Sequence, residues 1–179
     1  MVSDIRSGSA SSSPRRLTTV GSHIFFSADD GTNGTELWKT DGTTTSIVKN
    51  INVASVALVA AKSGPSAVSS DPSSYPDSLV GIGGKLYFQA TKDSDTELWV
   101  SDGTESGTVL FKDIYIGAGG SNPVHLGDAQ YFEQAVPAVE NVGVLFIAES
   151  VGKGRELWKS DGTAAGTTIV KDINPDLGN

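Results

Sequence analysis

The sequence predicts an all-β protein made of tandem four-stranded antiparallel sheets, propeller-like in layout. Three observations carry this. One eight-residue signature recurs three times, short β-type segments flank every copy at matching offsets, and no stretch keeps a helical period. The signature reads Glu36-Leu37-Trp38-Lys39-Thr40-Asp41-Gly42-Thr43, then Glu97-Leu98-Trp99-Val100-Ser101-Asp102-Gly103-Thr104, then Glu156-Leu157-Trp158-Lys159-Ser160-Asp161-Gly162-Thr163. Glu36 to Glu97 is 61 positions and Glu97 to Glu156 is 59, and all three Trp of the chain fall within the copies.

Each repeat is expected to supply its strands in the same order. The first is Leu17 to Val20, Leu79 to Ile82 and, as a poorer match, Pro137 to Val142. The second is Ile24 to Ala28, Leu86 to Ala90 and Leu145 to Ala148. The signature forms the third, and Ser46 to Ile51, Thr108 to Ile114 and Thr167 to Ile173 form the fourth. These runs are rich in aromatic and β-branched residues and are bounded by Gly, Asp and Asn, the pattern of strands and hairpins. Asp41-Gly42, Asp102-Gly103 and Asp161-Gly162 are the turns between third and fourth strands. Gly accepts φ > 0 there, and Asp bonds the backbone two residues on. The first copy is two residues shorter after this turn.

A blade of this kind packs on neighbours through both faces, so Leu37 and Trp38, pointing opposite ways along one strand, can both be buried. Trp38, Trp99 and Trp158 are expected as wedges between sheets. Glu36, Glu97 and Glu156 share the Trp face, and a buried carboxylate there needs backbone or Ser/Thr donors. Three blades are fewer than a closed propeller holds, so the array is partial or is completed by oligomerisation. A β-trefoil also has three repeats, but its units are usually shorter.

Glu-Leu-Trp, two variable residues, Asp-Gly-Thr, then Gly-Thr and Val-Lys-Asp-Ile: in this pattern the chain resembles the ELWxxDGT-repeat proteins over nearly its whole length. Asn50 in place of Asp, the missing second Gly in the first copy and two long insertions depart from the pattern. The resemblance implies a bacterial-type surface or secreted protein with propeller-like repeats, and no established catalytic residue.

The domain organisation expected is one repeat domain of 179 residues. Residues 1–16 are an orphan fourth strand and linker, because Val2 to Ile5 resembles Val170 to Ile173. Repeat 1 is 17–51, an insertion 52–78, repeat 2 79–114, a second insertion 115–136 and repeat 3 137–179. Within the first insertion, Val53 to Ala61 is apolar and Ser63 to Ser78 reads as an extended surface loop.

Composition excludes several function classes. Thirteen basic against 21 acidic residues give a net charge of −8, unsuited to neutralising a phosphate backbone. With no Cys there is no disulfide framework, thiolate metal site or Cys nucleophile, and two His leave little for a His-rich metal centre. No apolar run approaches the roughly 18 residues of a membrane helix. The opening residues, with polar Ser3, Asp4 and Arg6, do not read as a signal peptide.

The links between repeats and the loops between second and third strands should share one face, opposite the uniform Asp-Gly-Thr turns. Variation concentrates there, as at a binding surface. Candidate binding residues are Asp29, Asp30 and Asn33 in one loop, Asp93 and Asp95 in another, and Tyr75, Tyr115, His125 and Tyr131 in the insertions. Asp29-Asp30-Gly31-Thr32-Asn33-Gly34 is oxygen-rich in the manner of a calcium loop but lacks the full ligand ladder, and an ordinary hairpin loop is the simpler account. Asn33-Gly34-Thr35 is a glycosylation sequon. No nucleophile–base constellation stands out, so catalytic residues, metal ligands and cofactors are assigned to none.

The expected function is a non-enzymatic extracellular or cell-surface repeat module for protein or surface interaction, as a subunit or fragment of a larger propeller, surface assembly or filament. The alternative is a propeller lectin, calcium-assisted. Expected partners are copies of itself or neighbouring repeats of a longer chain, with a glycan or surface protein as ligand; nucleic acid and a membrane span are not expected.

Overall fold

The computed structural model describes residues 2–53, 56–61, 64–69, 71–117, 119–124, 143–173 and 175, with the backbone alone for 56–61 and 64–69. These residues are all-β and contain no helix, hence none long and apolar enough to cross a membrane. Sheet 1 is β1 (Arg15–Val20), β2 (His23–Asp29), β3 (Thr35–Thr40) and β4 (Thr45–Lys49), in sequence order. Next comes a two-stranded ribbon, β5 (Val56–Ala61) and β6 (Gly64–Ser69). Sheet 2 is β7 (Asp77–Ile82), β8 (Lys85–Lys92), β9 (Asp95–Ser101) and β10 (Val109–Lys112), again ordered along the chain. Sheet 3 contains β11 (Val144–Ser150), β12 (Gly154–Ser160) and β13 (Thr168–Lys171).

The repeat is exact in register. Ala28 faces Glu36, Ala90 faces Glu97 and Ala148 faces Glu156, while Phe26, Phe88 and Phe146 each lie opposite the Trp of their own sheet. The strand after the signature (β4, β10 and β13) is bulged beside that Trp, at Val48, Phe111 and Val170. The first strands of sheets 1 and 2 are bulged too, where Arg16 and Ser78 hold φ of +60° and +52°. Such bulges add twist and re-aim side chains, so the sheets can stack without a flat open face.

Stacking buries two separate cores. Between sheets 1 and 2, Phe25, Leu37, Val48 and Ile51 meet Leu86, Phe88, Ala90 and Trp99. Between sheets 2 and 3, Tyr87, Leu98, Val100 and Ile114 meet Val144, Phe146, Ala148 and Trp158. Every sheet thus has a forward face, carrying the Leu of the signature, and a back face, carrying its Trp. Burying each large apolar side chain contributes about 1.5–3 kcal/mol. The first strands also touch: a Cβ on Gly81 would lie 2.7 Å from Val20 Cγ2, so only glycine permits that approach. Arg16 pairs with Asp77 across the same seam.

Exposure follows from which faces have neighbours. Trp99 and Trp158 are buried between sheets, whereas Trp38, on the back of sheet 1, is only half-buried. Leu37 and Leu98 are fully buried, but Leu157, on the forward face of sheet 3, is 37% exposed. The expectation of three equivalent Trp wedges therefore holds for two.

Other expectations change. Residues 2–14 form no strand; the strand expected at Val2 to Ile5 would need a third strand to pair with, and each one described already pairs with its own β4, β10 or β13. The first insertion contains the ribbon rather than an extended loop, and Pro65 sits in β6, a strand of a ribbon with open edges where a missing N–H is tolerated. The third sheet is joined earlier than residue 137. Val124 bridges Ile147 at the place held by Asp77 against Gln89 and Arg15 against Ser27. Pro137 to Val142 lies outside the described residues.

Trp99→Ala should lower the free energy of unfolding by about 3–5 kcal/mol, and Trp38→Ala by clearly less, since part of that ring is already in water. Urea denaturation of the two variants checks this; equal losses would mean that the back of sheet 1 is covered.

Candidate functional site

The signature glutamates Glu36 and Glu97 each gather four hydrogen-bond donors. Glu36 is fully buried. Its carboxylate accepts from the Ile51 amide at 3.0 Å and the Asn52 amide at 3.3 Å, where the chain leaves sheet 1. It also accepts from the Ser74 amide at 3.2 Å and the Ser74 hydroxyl at 2.6 Å, just before sheet 2 begins. Glu97 repeats this atom for atom, with the Ile114 and Tyr115 amides at 3.1 Å, the Ser121 amide at 2.9 Å and the Ser121 hydroxyl at 2.6 Å. Glu156 accepts from the Ile173 amide at 3.3 Å. Hydrogen bonds to a charged group contribute about 1.5–3 kcal/mol each, and one left unmade in a buried site is costly.

The Asp of each signature holds its turn. Asp41 accepts from the amides of Thr43 and Thr44, and those donors, led by Thr44, hold its carboxyl down to about 2. Asp102 and Asp161 accept both hydroxyl and amide of Thr104 and Thr163, which hold them below the usual range. Gly42, Gly103 and Gly162 have φ near +90°, at +89°, +88° and +91°, so glycine is required there. These turns line one end of the stack. Lysines bind it from sheet to sheet: Lys49 donates to the Glu105 and Thr108 carbonyls, and Lys112 to those of Ala164 and Thr167.

The opposite end carries the sequence-variable loops, and two open grooves lie there. One, of about 620 Å³, is lined by Lys92, Asp93, Ser94, Asp95, Trp99 and Leu110 among others. The other, of about 360 Å³, is lined by Asn52, Asp71, Ser73, Tyr75, Thr91 and Asp93 among others. Asp93 and Ser94 separate them on a two-residue turn with φ of +53° and +70°, a conformation usually left to Asn and Gly. The Asp93 amide donates to Asn52 Oδ1, tying this turn to the link that leaves sheet 1. Burial pushes the Asp95 carboxyl up, aided by Glu97 and Asp113.

Of the expected binding residues, Tyr75 and Asp93 line the smaller groove, and Asp93 and Asp95 the larger. Asp29, Asp30 and Asn33 line neither groove. Asp29 pairs with Arg6 and accepts from the Gly31 amide. Asp30 caps the Thr32 and Asn33 amides and accepts from the Asn33 side chain; burial pushes its carboxyl up, but these donors outweigh it and leave it lowered. The loop is closed by its own hydrogen bonds, and among the described residues no three His, Asp or Glu converge as metal ligands. Asn33 Oδ1 accepts from Asn50, so the sequon asparagine is engaged through both ends of its amide. Tyr115 is half-buried beside Gly119. His125 and Tyr131 lie outside the described residues.

Asn52, Asp71 and Ser73 were not singled out from the sequence, although Asp71-Pro72-Ser73-Ser74 is a turn signal. Asp71 accepts from the Tyr75 hydroxyl at 2.5 Å and the Ser73 amide at 2.9 Å, and these donors hold it low. The Tyr75 phenol is raised by the same bond. Comparison with known protein families, curated proteins and solved structures finds no match.

Burial pushes the Glu36 carboxyl up to about 7, against the pull of Ser74, Ile51 and Asn52, from an ordinary 4.5. The folded state then holds this proton between those values while the unfolded state does not, so the contribution of Glu36 to stability falls as pH rises from about 4.5 to about 7 and is flat above. Urea midpoints measured across that interval should slope less in Glu36→Gln than in the unaltered chain.

Proposed function

We propose that this chain is a non-enzymatic extracellular repeat module that works by protein or surface contact, as a section of a propeller-like or filamentous assembly. The observation that carries the reading is the uncovered forward face of sheet 3. Leu157, Val170 and Ile173 are 37%, 46% and 73% exposed there, whereas Leu37, Val48 and Ile51 of sheet 1 are at most 5% exposed. An apolar face built for a neighbour and lacking one among the described residues is a contact surface. The resemblance to the ELWxxDGT-repeat proteins supports a surface or secreted setting. The commitment of Asp29, Asp30 and Asp71 to their own turns supports a structural rather than a catalytic role.

Sedimentation across a wide concentration range tests this: the mean mass should rise with concentration. A compact monomer throughout would overturn the assembly reading.

One observation favours a carbohydrate-binding reading as second choice. Tyr75 is 54% exposed at the rim of the smaller groove, beside Asp71, Asp93 and Asn52, and an exposed ring flanked by polar groups suits a sugar. A glycan array should then show binding that Tyr75→Ala abolishes; an empty array, with and without calcium, removes this reading.

A further inference from the structure

The step from one sheet to the next has fixed parts that can be followed along the chain. A Ser-X-Pro triplet leads into sheet 2 as Ser74-Tyr75-Pro76 and into sheet 3 as Ser121-Asn122-Pro123. The middle residue has φ of +48° at Tyr75 and +44° at Asn122. Its amide donates to the carbonyl just before the preceding glutamate, Tyr75 to Thr35 at 3.2 Å and Asn122 to Thr96 at 3.0 Å. The serine carbonyl accepts from the following sheet, from Thr91 at 2.7 Å and Glu149 at 2.8 Å. The serine amide and hydroxyl donate back to Glu36 or Glu97.

Ser12-Ser13-Pro14 is a third such triplet, ahead of sheet 1. Ser13 has φ of +45°, and the Ser12 carbonyl accepts from the Asp29 amide at 2.9 Å. The half of the clasp that points forward is therefore formed. The half that points back, the Ser12 amide and hydroxyl, has no carboxylate among the described residues. Glu156 is the converse: it is 7% exposed and receives the Ile173 amide, but among the described residues no serine. The apolar faces are complementary in the same sense. Leu17 and Ile24 on the back of sheet 1 are 67% and 36% exposed, whereas Leu79, the counterpart of Leu17, packs into the core between sheets 1 and 2, and Leu86, that of Ile24, is fully buried there.

We propose that Glu156 of one copy receives Ser12 of a second copy, joining chains head to tail by the contact that joins sheets within each chain. This rests on the reading of the chain as an assembling module and names both its partner and the residues of the join. Glu156 accepts the amide and hydroxyl of the incoming Ser12, and the Ser13 amide, which within one chain donates to the Ser11 hydroxyl at 3.0 Å, exchanges that partner for the Arg155 carbonyl, as Thr35 and Thr96 accept from Tyr75 and Asn122. Leu157, Val170 and Ile173 cover Leu17 and Ile24. One internal contact is reduced. Lys171 follows Lys49 and Lys112 in the series, but the turn of sheet 1 is two residues shorter and lacks the loop that carries the Glu105 or Ala164 carbonyl. The join between chains is accordingly weaker than the internal ones and responds to concentration. Because it is heterologous, it propagates into a ring or an open chain.

The test uses single-end variants of the full chain, with circular dichroism to show that each is folded. Leu17→Glu blocks the head and Val170→Glu blocks the tail, and both positions are exposed, so folding should survive. Each variant alone should sediment as a monomer, and an equal mixture should give a one-to-one dimer, since one intact tail then meets one intact head. Ser12→Ala alone should weaken self-association by about tenfold or more, the loss of a hydrogen bond to a charged group. If the unaltered chain stays monomeric, both this join and the assembly reading fail. If it associates, but either single-end variant still does so alone or the mixture stays monomeric, the head-to-tail join is wrong while the assembly reading stands.

Discussion

A carboxyl group buried near the start of each signature strand is what the rest of this structure depends on. Glu36 gathers two amides from the chain leaving its own sheet and two donors from the serine that opens the next one. Glu97 does the same. The first pair of bonds ends one repeat and the second pair begins another, so a single side chain sets the step between sheets. A carboxyl group withdrawn this far from water is tolerable only with nearly all its lone pairs occupied, and that demand fixes the serine in space. The length of the link is then of little consequence. Ser74 lies 22 positions after Asn52, while Ser121 lies six after Tyr115, and both clasps have the same geometry.

Packing follows from that step. With the next sheet held at a set distance, the Leu of one signature and the Trp of the following one share a core, and large side chains at positions 25, 37, 86, 88 and 99 interlock. Lysines of the fourth strands close the far end by reaching backbone carbonyls in the next turn, contacts that are satisfied without a second buried charge. The two ends of the stack differ for this reason. At one end the turns of sheets 2 and 3 share a loop that presents carbonyls to a lysine of the preceding sheet; the other is free to vary because the clasp needs only one serine and two amides.

Much of this was legible in the residues. The recurrence of Glu-Leu-Trp with Asp-Gly-Thr marks three third strands and their turns, and alternation along Glu36-Leu37-Trp38 indicates sheets covered on two sides. The need of buried glutamates for backbone or hydroxyl donors follows from their place beside Trp. The triplets Ser12-Ser13-Pro14, Ser74-Tyr75-Pro76 and Ser121-Asn122-Pro123 were also in view, but short Ser- and Pro-containing links resemble any surface loop. Their equivalence is conformational, resting on a left-handed middle residue that Ser, Tyr and Asn adopt alike. Tyr75, Asp93 and Asp95 stood out as loop residues; the parts played by Asn52, Asp71 and Ser73 did not, because they depend on where the link returns. Asp29 and Asp30 looked available as ligands and are instead consumed by neighbouring amides.

What the sequence determined by itself is local: strand alternation, turn chemistry and the periodic demand for a donor at each glutamate, all set by neighbours within a few positions. Which sheet face finds a neighbour was decided only by the tertiary structure. Leu37 and Leu157 occupy the same place in the same motif, yet one is fully buried and the other 37% exposed. Burial is a property of what stands opposite, and a residue contains no record of that.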